Sequence, residues 1–181
     1  MTGSNKENIQ FAIDDSWLGY VLAAQSPKGL CAVLLGNEPN ELKSELRSRF
    51  PEAELIEGSD AATALLTQVI GCIEDPSKSL DMPFDERGTS FQKRVWKALK
   101  EIPCGSTVSY TEIAQKIGSP QAVRAVGTAC GANALAIVVP CHRVVRNDGS
   151  INGYRWGIER KKRLLERESL FHSSARKMGT G

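Results

Sequence analysis

No run of apolar residues in this 181-residue chain approaches the ~18 that a membrane-spanning helix requires, so no membrane association is expected. There is no Cys-x-x-Cys pair, and of only two histidines, His142 and His172, the second lies in a C-terminal tail; no metal site is expected. The cysteines Cys31, Cys72, Cys104, Cys130 and Cys141 are odd in number and widely spaced, and the polar start lacks the apolar core of a secretory signal. They read as reduced thiols, with the cytoplasm as the expected location. No Gly-x-Gly-x-x-Gly follows a strand, so S-adenosylmethionine or a dinucleotide lacks its usual cradle and no cofactor is expected.

With 41% hydrophobic and 24% charged residues, the composition is that of a soluble globular protein, large enough for one ordinary domain or two small ones. The net charge of +2 conceals an imbalance. Residues 1–87 hold 7 Lys+Arg against 15 Asp+Glu, and residues 88–181 hold 16 against 6. That asymmetry suggests an acidic companion lobe and a basic working lobe facing a polyanion. Four of the positive charges, Arg160-Lys161-Lys162-Arg163, could equally be a solvated helix face.

Residues 9–13, 19–25 and 29–35 read as strands separated by turn residues. Asn40 is expected to cap a helix to Phe50, a short run near Leu55-Ile56 to join the sheet, and Ser59 or Asp60 to cap a helix over 61–73. Leu80 to Gly88 marks a boundary between lobes. A strongly amphipathic helix then opens at Ser90, burying Phe91, Val95, Trp96 and Leu99. Residues 111–117 and 121–130, joined through Gly118-Ser119-Pro120, form a helix-turn-helix candidate. Asn147 to Ser150 reads as a turn of a hairpin or wing. A last helix is expected from Ile158 to about Glu168, with Leu164 and Leu165 inward and a disordered tail beyond.

Two features carry chemistry. Cys141 lies in Pro140-Cys141-His142-Arg143-Val144-Val145, a soft nucleophile beside an imidazole and just after the apolar Ala136 to Val139. A thiol reacts only as thiolate, and a neighbouring base shifts that equilibrium. The second helix of the candidate pair is mostly Ala, Gly and Val, with Arg124 its single long cation. A reader of base edges presents long polar side chains, whereas small residues allow close backbone approach to a narrow groove.

These motifs, with Arg124-Ala125-Val126-Gly127, Gly131-Ala132-Asn133, Phe91-Gln92, Val95-Trp96, Ser109-Tyr110 and Gly153-Tyr154-Arg155-Trp156-Gly157, closely resemble the O6-alkylguanine-DNA alkyltransferases. The resemblance runs from about Thr89 to Glu168 and is strongest towards the C-terminal half of bacterial adaptive-response proteins. It implies an α/β (α+β) fold: a small ribonuclease-H-like sheet-and-helix domain at 9–86, after a flexible 1–8, then a mostly helical, winged helix-turn-helix-like domain at 87–168. The disordered tail would be 169–181.

The resemblance also implies a function: single-use, irreversible transfer of an alkyl group, chiefly methyl, from a flipped O6-alkylguanine, with O4-methylthymine as a further lesion. Cys141 would be the acceptor, His142 its base through a water, and Glu168 the carboxylate orienting that imidazole. Asn133 would tie the turn before the active-site segment, and Tyr110 would donate to the leaving purine. Arg124 would fill the gap in the base stack, Val144 and Tyr154 would line the guanine pocket, and Gln121, Ala122, Ala125 and Arg155 would contact DNA. Trp156, standing where other relatives have glycine, would crowd the pocket rim and favour methyl over benzyl. The expected partner is double-stranded DNA containing O6-alkylguanine, bound by a monomer.

Three other functions fit the sequence less well. A non-catalytic lesion binder of the same fold would lack the acceptor, so Cys141 speaks against it. A sequence-reading regulator would need more than Arg124 on its recognition helix. A cysteine hydrolase usually draws its Cys and His from distant parts of the chain.

Overall fold

The computed structural model describes residues 6–179, with side chains described as far as Phe171. Residues 1–5 of the expected flexible start, and the His172 side chain, lie outside the described residues. Three strands form an antiparallel meander: β1 (Asn8–Ser16), β2 (Gly19–Ser26) and β3 (Gly29–Gly36). Two-residue connections fit the turn signals, and Gly29 shows why one is obligatory: its φ is +144°, and an added Cβ would sit 2.3 Å from the Pro83 carbonyl oxygen. After α1 (Pro39–Arg49), β4 (Glu54–Glu57) adds parallel to β1, giving the order β3-β2-β1-β4. Then comes α2 (Asp60–Glu74). Val21 to Ala24 and Leu30 to Leu35 are continuously buried, so the centre of this sheet is covered on both faces.

Capping chemistry fixes three of the helix starts. Ser59 accepts from the Ala62 amide at the head of α2. Thr89 and Gln92 form a reciprocal capping box on α3 (Ser90–Lys100), and Ser109 and Glu112 form another on α4 (Tyr110–Lys116). For α1 the expectation of an Asn40 cap fails. Pro39 already occupies the first turn, where its missing N–H costs nothing, and Glu38 is the cap residue without a side-chain bond.

The C-terminal lobe packs α3, α4 and α5 (Val123–Gly131) together, and the buried Trp96 indole N–H of α3 donates to the Ala129 carbonyl of α5 at 2.9 Å. Two short strands, β5 (Val108–Ser109) and β6 (Val144–Val145), pair in parallel. The hairpin or wing expected around Asn147–Ser150 does not form. The turn closes, with Gly149 at φ +82°, but β6 is taken by β5 and no strand follows among the described residues. The last helix, α6, runs from Ile158 to Gly179 rather than stopping near Glu168, because no Pro or Gly interrupts it before Gly179. Residues 169–179, expected to be disordered, therefore continue the helix.

The lobes meet along two seams. The free edge of β3 is covered by chain from the boundary segment and from the site: Leu30 donates to Pro83 at 3.0 Å, Val33 to Ala134 at 2.8 Å, and Ala136 back to Val33 at 3.0 Å. The second seam is α6. Arg160 donates to the Leu18 carbonyl at 2.7 Å and to Asn37 at 2.7 Å, Arg163 to Trp17 at 2.5 Å, and Arg167 to Glu74 at 2.8 Å. Arg163 and Arg167 also stand over the Trp17 ring. The basic run at 160–163 is thus chiefly a clamp on the N-terminal lobe: Lys161 is buried, and Lys162 and Arg163 are exposed, Arg163 still reaching Trp17.

Candidate functional site

Tight backbone turns deliver the thiol. Between α5 and Cys141 the chain makes two three-residue turns, Val138 N–H to Ala136 O at 2.7 Å and Cys141 N–H to Val139 O at 2.8 Å. Pro140, at φ −80° and ψ 62°, centres the second with the φ its ring imposes. Ile137 centres the first at φ +72°, a costly conformation for a β-branched residue. Buried Asn133 holds the segment in place: its amide nitrogen donates to Val139 O at 3.0 Å and Leu135 O at 3.3 Å, and its oxygen accepts from the Leu135 amide at 2.9 Å. The same nitrogen lies 3.4 Å from Cys141 Sγ.

Cys141 and His142 begin a single 3-10 turn, Cys141–Arg143, and diverge from it. The thiol lines a cavity of about 420 Å³ shared with Tyr110, Arg124, Gly127, Asn152 and Tyr154. His142, fully buried, turns the other way, its Nε2 2.7 Å from Glu168 on α6. Arg143 grips the same carboxylate through Nε at 3.0 and 3.1 Å and Nη2 at 2.7 Å, and donates Nη1 to Ile102 O at 2.7 Å. The β5–β6 register brings Tyr110, at the start of α4, to the opposite cavity wall, where its hydroxyl donates to Asn152 Oδ1 at 2.9 Å.

Burial pushes the Glu168 carboxyl up, but the hydrogen bonds and charges of His142 and Arg143 outweigh it and hold the group at about 2. Glu168 is therefore an acceptor at neutral pH, and His142 Nε2 carries the proton. Nδ1 then bears the imidazole lone pair; it is buried and without a hydrogen-bond partner among the described residues. Burial, opposed by Glu168, lowers the His142 pKa and keeps the ring neutral. Burial likewise raises the Cys141 thiol, against the Asn133 amide and the more distant Lys161 and Arg155 charges. At rest the site holds a neutral thiol and a neutral base.

Of the residues expected at the site, Cys141, Tyr110, Tyr154, Arg124 and Arg155 line the cavity, and Asn133, His142 and Glu168 stand behind it. Arg124 and Ala125 are exposed on α5, beside exposed Gln121 and half-buried Ala122 in the preceding turn. Two placements need correction. Val144 is fully buried in β6 and does not reach the cavity wall. Trp156 is not at the rim: it is 5% exposed and packs edge-on against Tyr154 with centroids 5.4 Å apart. The rim position belongs to Arg155, which lies over the indole, donates to Gly131 O at 2.9 Å and pairs with Glu45 of α1 at 2.7 Å.

Three residues carry parts of the site that the sequence reading did not assign. Arg143, part of the Pro-Cys-His-Arg motif, is the cation that grips Glu168. Asn152, the partner of Tyr110, has no motif of its own. Lys161, hidden in a basic run, donates to Asn152 O at 3.2 Å and Gly153 O at 3.5 Å. Among the described residues no group of three or more His, Cys, Asp or Glu could hold a metal ion, and no helix is long and apolar enough to cross a membrane.

A cavity-lining thiol backed by a His–Glu–Arg cluster, beside a helix of small residues, defines a cysteine-centred site on a mixed α/β fold. A family described as "6-O-methylguanine DNA methyltransferase, DNA binding domain" matches residues 90–170. The inducible methylated-DNA–protein-cysteine methyltransferase of Bacillus subtilis is 44% identical over 153 residues, covering 84% of each chain. The chain therefore belongs to the methylated-DNA–protein-cysteine methyltransferase family. It is also 47% identical over 167 residues to the bifunctional transcriptional activator/DNA repair enzyme Ada of Escherichia coli, covering 92% of this chain but 47% of Ada. The chain thus spans about half the length of that relative. Its fold matches Mycobacterium tuberculosis OGT in complex with DNA with a TM-score of 0.76 and 36% identity, covering 90% of this chain and 94% of OGT.

Proposed function

We propose that this protein repairs DNA by direct reversal, moving the alkyl group of O6-alkylguanine in a duplex onto Cys141. One observation carries the reading: the cavity-lining thiol sits one residue from a buried imidazole whose only hydrogen-bonded nitrogen faces an ionised carboxylate. His142 Nδ1 takes the thiol proton, directly or through one water, and Glu168 and Arg143 hold the ring in the tautomer that can do so. The thiolate attacks the O6-alkyl carbon; the S–C bond forms as the C–O6 bond breaks, and the purine leaves with the electron pair. Tyr110 donates to the ring nitrogen where that charge collects, exchanging Asn152 for the base. The product is a thioether, a poor leaving group, so each molecule acts once and no cofactor enters.

The duplex partner docks on the α4–α5 pair, read here as a helix-turn-helix whose small outer residues let the backbone approach a narrow groove. Exposed Arg124 at the cavity mouth supports its role as the wedge that replaces the flipped base. The order β3-β2-β1-β4, with three antiparallel strands and a parallel fourth, supports a ribonuclease-H-like reading of residues 9–86 as a companion domain. The protein works as a monomer in the cytoplasm, with methyl the main group transferred and O4-methylthymine a further lesion.

Incubation with duplex carrying labelled O6-methylguanine tests the proposal. About one equivalent of label per protein, all on Cys141, is expected, and turnover beyond one would refute single use. Arg124→Ala should slow repair of duplex by about tenfold or more while leaving reaction with the free base O6-methylguanine near wild type. Equal losses on the two substrates would remove the wedge role.

A further inference from the structure

Arg155 is fastened on both sides of the cavity that holds Cys141. It follows Asn152, Gly153 and Tyr154 in the loop that forms one wall, and its Nη1 reaches across to α5, donating at 2.9 Å to the carbonyl of Gly131, which lines the same cavity. Nε and Nη2 both donate to Oε1 of Glu45 on α1, at 3.2 and 2.7 Å, and the guanidinium carbon stands 5.9 Å from the centre of the Trp156 ring. Arg49, one turn further along α1, lies 3.4 Å from the same Glu45 oxygen. Burial and the charge of Arg155 lower the Arg49 pKa, so the two guanidiniums repel each other and the carboxylate between them is what keeps them together.

Glu45 is 110 residues from Arg155 in the chain and belongs to the acidic lobe, which supplies no residue to the cavity wall. The arginines of α6 also cross between the lobes, but Arg160, Arg163 and Arg167 do not line this cavity, whereas Arg155 does. An ion pair exposed to this degree adds little to stability, and a long side chain gives up rotamer freedom when it is held. The effect of the contact therefore falls on the space that Arg155 borders. Cys141 receives its alkyl group in that space, so a guanidinium fixed across the rim restricts what fits beside the sulfur.

We propose that Glu45 is a positioning residue that sets the size of the alkyl group this protein accepts: from the companion lobe it pins Arg155 between the 152–155 loop and Gly131, so that a methyl group fits and larger O6 substituents meet the guanidinium. Glu45 touches neither the sulfur nor the base and exchanges no proton. Without the carboxylate, Arg155 keeps the Gly131 carbonyl and the face of Trp156, is repelled by Arg49, and swings away from the rim.

This inference rests on alkyl transfer to Cys141 being the reaction, and the two fail differently. Wild-type protein that leaves O6-methylguanine duplex unrepaired defeats the reaction itself. Given wild-type transfer, single-turnover rates are measured for duplexes carrying O6-methyl-, O6-ethyl- or O6-benzylguanine, all at saturation so that changes in duplex affinity drop out. Glu45→Ala is expected to raise the ethyl-to-methyl and benzyl-to-methyl rate ratios by about tenfold, and Glu45→Gln, which keeps a weaker, uncharged acceptor, by about threefold. Arg155→Ala should raise the ratios as far as Glu45→Ala does, and combining the two should add nothing, because the carboxylate acts only through the guanidinium. A ratio taken on one preparation is insensitive to an unfolded fraction, so a merely structural role would not move it; if Glu45→Ala does not fold, Glu45→Gln decides in its place. Ratios within about twofold of wild type in a folded Glu45 variant overturn the proposal, as does a further rise of about threefold or more when Glu45→Ala is added to Arg155→Ala.

Discussion

Cys141→Ala is expected to abolish methyl transfer altogether, with no residual slow phase, while duplex binding stays within about twofold of wild type. The chain has four other thiols, but the geometry gives none of them the same chemistry. Cys31 and Cys130 are buried, and burial pushes the Cys31 thiol up to about 12 and holds the Cys130 thiol well above its ordinary value. Cys72 and Cys104 line a different cavity on the far side of Arg143 and Glu168. Cys130 alone shares the cavity with Cys141 and is the only thiol that could substitute. It has no imidazole beside it, so label should not reappear there. Mass spectrometry of the Cys141→Ala protein after exposure to methylated duplex checks both points; label on Cys130 would show that the His142 relay is not what selects the acceptor.

Replacing Glu168 should damage stability and activity together. In Glu168→Ala the part-buried Arg143 guanidinium and the buried His142 ring lose the acceptor they share, which leaves the guanidinium only its Ile102 carbonyl, at a cost of about 3 kcal/mol in urea unfolding. Glu168→Gln keeps the shape and should lose less. Both variants should transfer methyl about a hundredfold more slowly or worse, since nothing then fixes the proton on Nε2 and the lone pair on Nδ1. The pH dependence has a definite sign. A carboxyl held at about 2 in the folded protein, against an ordinary 4.5, contributes stability that is complete above the unfolded value. That contribution, about 3 kcal/mol, is lost as pH falls from about 4.5 towards 2. The stability gap between wild type and Glu168→Gln should therefore be widest near neutrality and close on acidification. His142, whose folded pKa burial depresses, adds acid lability of the same sign starting nearer its ordinary 6.5. A gap that stayed constant down to about pH 2 would mean that Glu168 is not ionised in the native state.

Much of this architecture could be read from the chain. The strands at 9–13, 19–25 and 29–35 alternate or run apolar between turn residues, and the structure extends each by a residue or a few. The helix at Ser90 carried both its cap and its stripe. What escaped depends on where side chains point. Arg160 to Arg163 read as one basic face, but consecutive helical residues are about 100° apart. Two of them therefore meet the other lobe, one meets solvent and one enters the core. The resemblance puts Val144 on the pocket lining and Trp156 at its rim, but each turns inward while Asn152, Tyr154 and Arg155 hold the wall. The missing hairpin has a comparable cause, since β6 pairs with a segment 36 residues upstream rather than with the residues that follow it.

Helix α6 also sets a gauge. Along it Lys161 reaches the Asn152 carbonyl and Glu168 the His142 ring, while Arg160, Arg163 and Arg167 are bolted to Leu18, Trp17 and Glu74. A helix is stiff along its axis, so these grips cannot slip independently: sliding it by one residue would carry carboxylate and ammonium about 1.5 Å together past the sulfur's surroundings. The acidic lobe, which brings no reacting atom, thereby acts as the datum from which the working distances are measured.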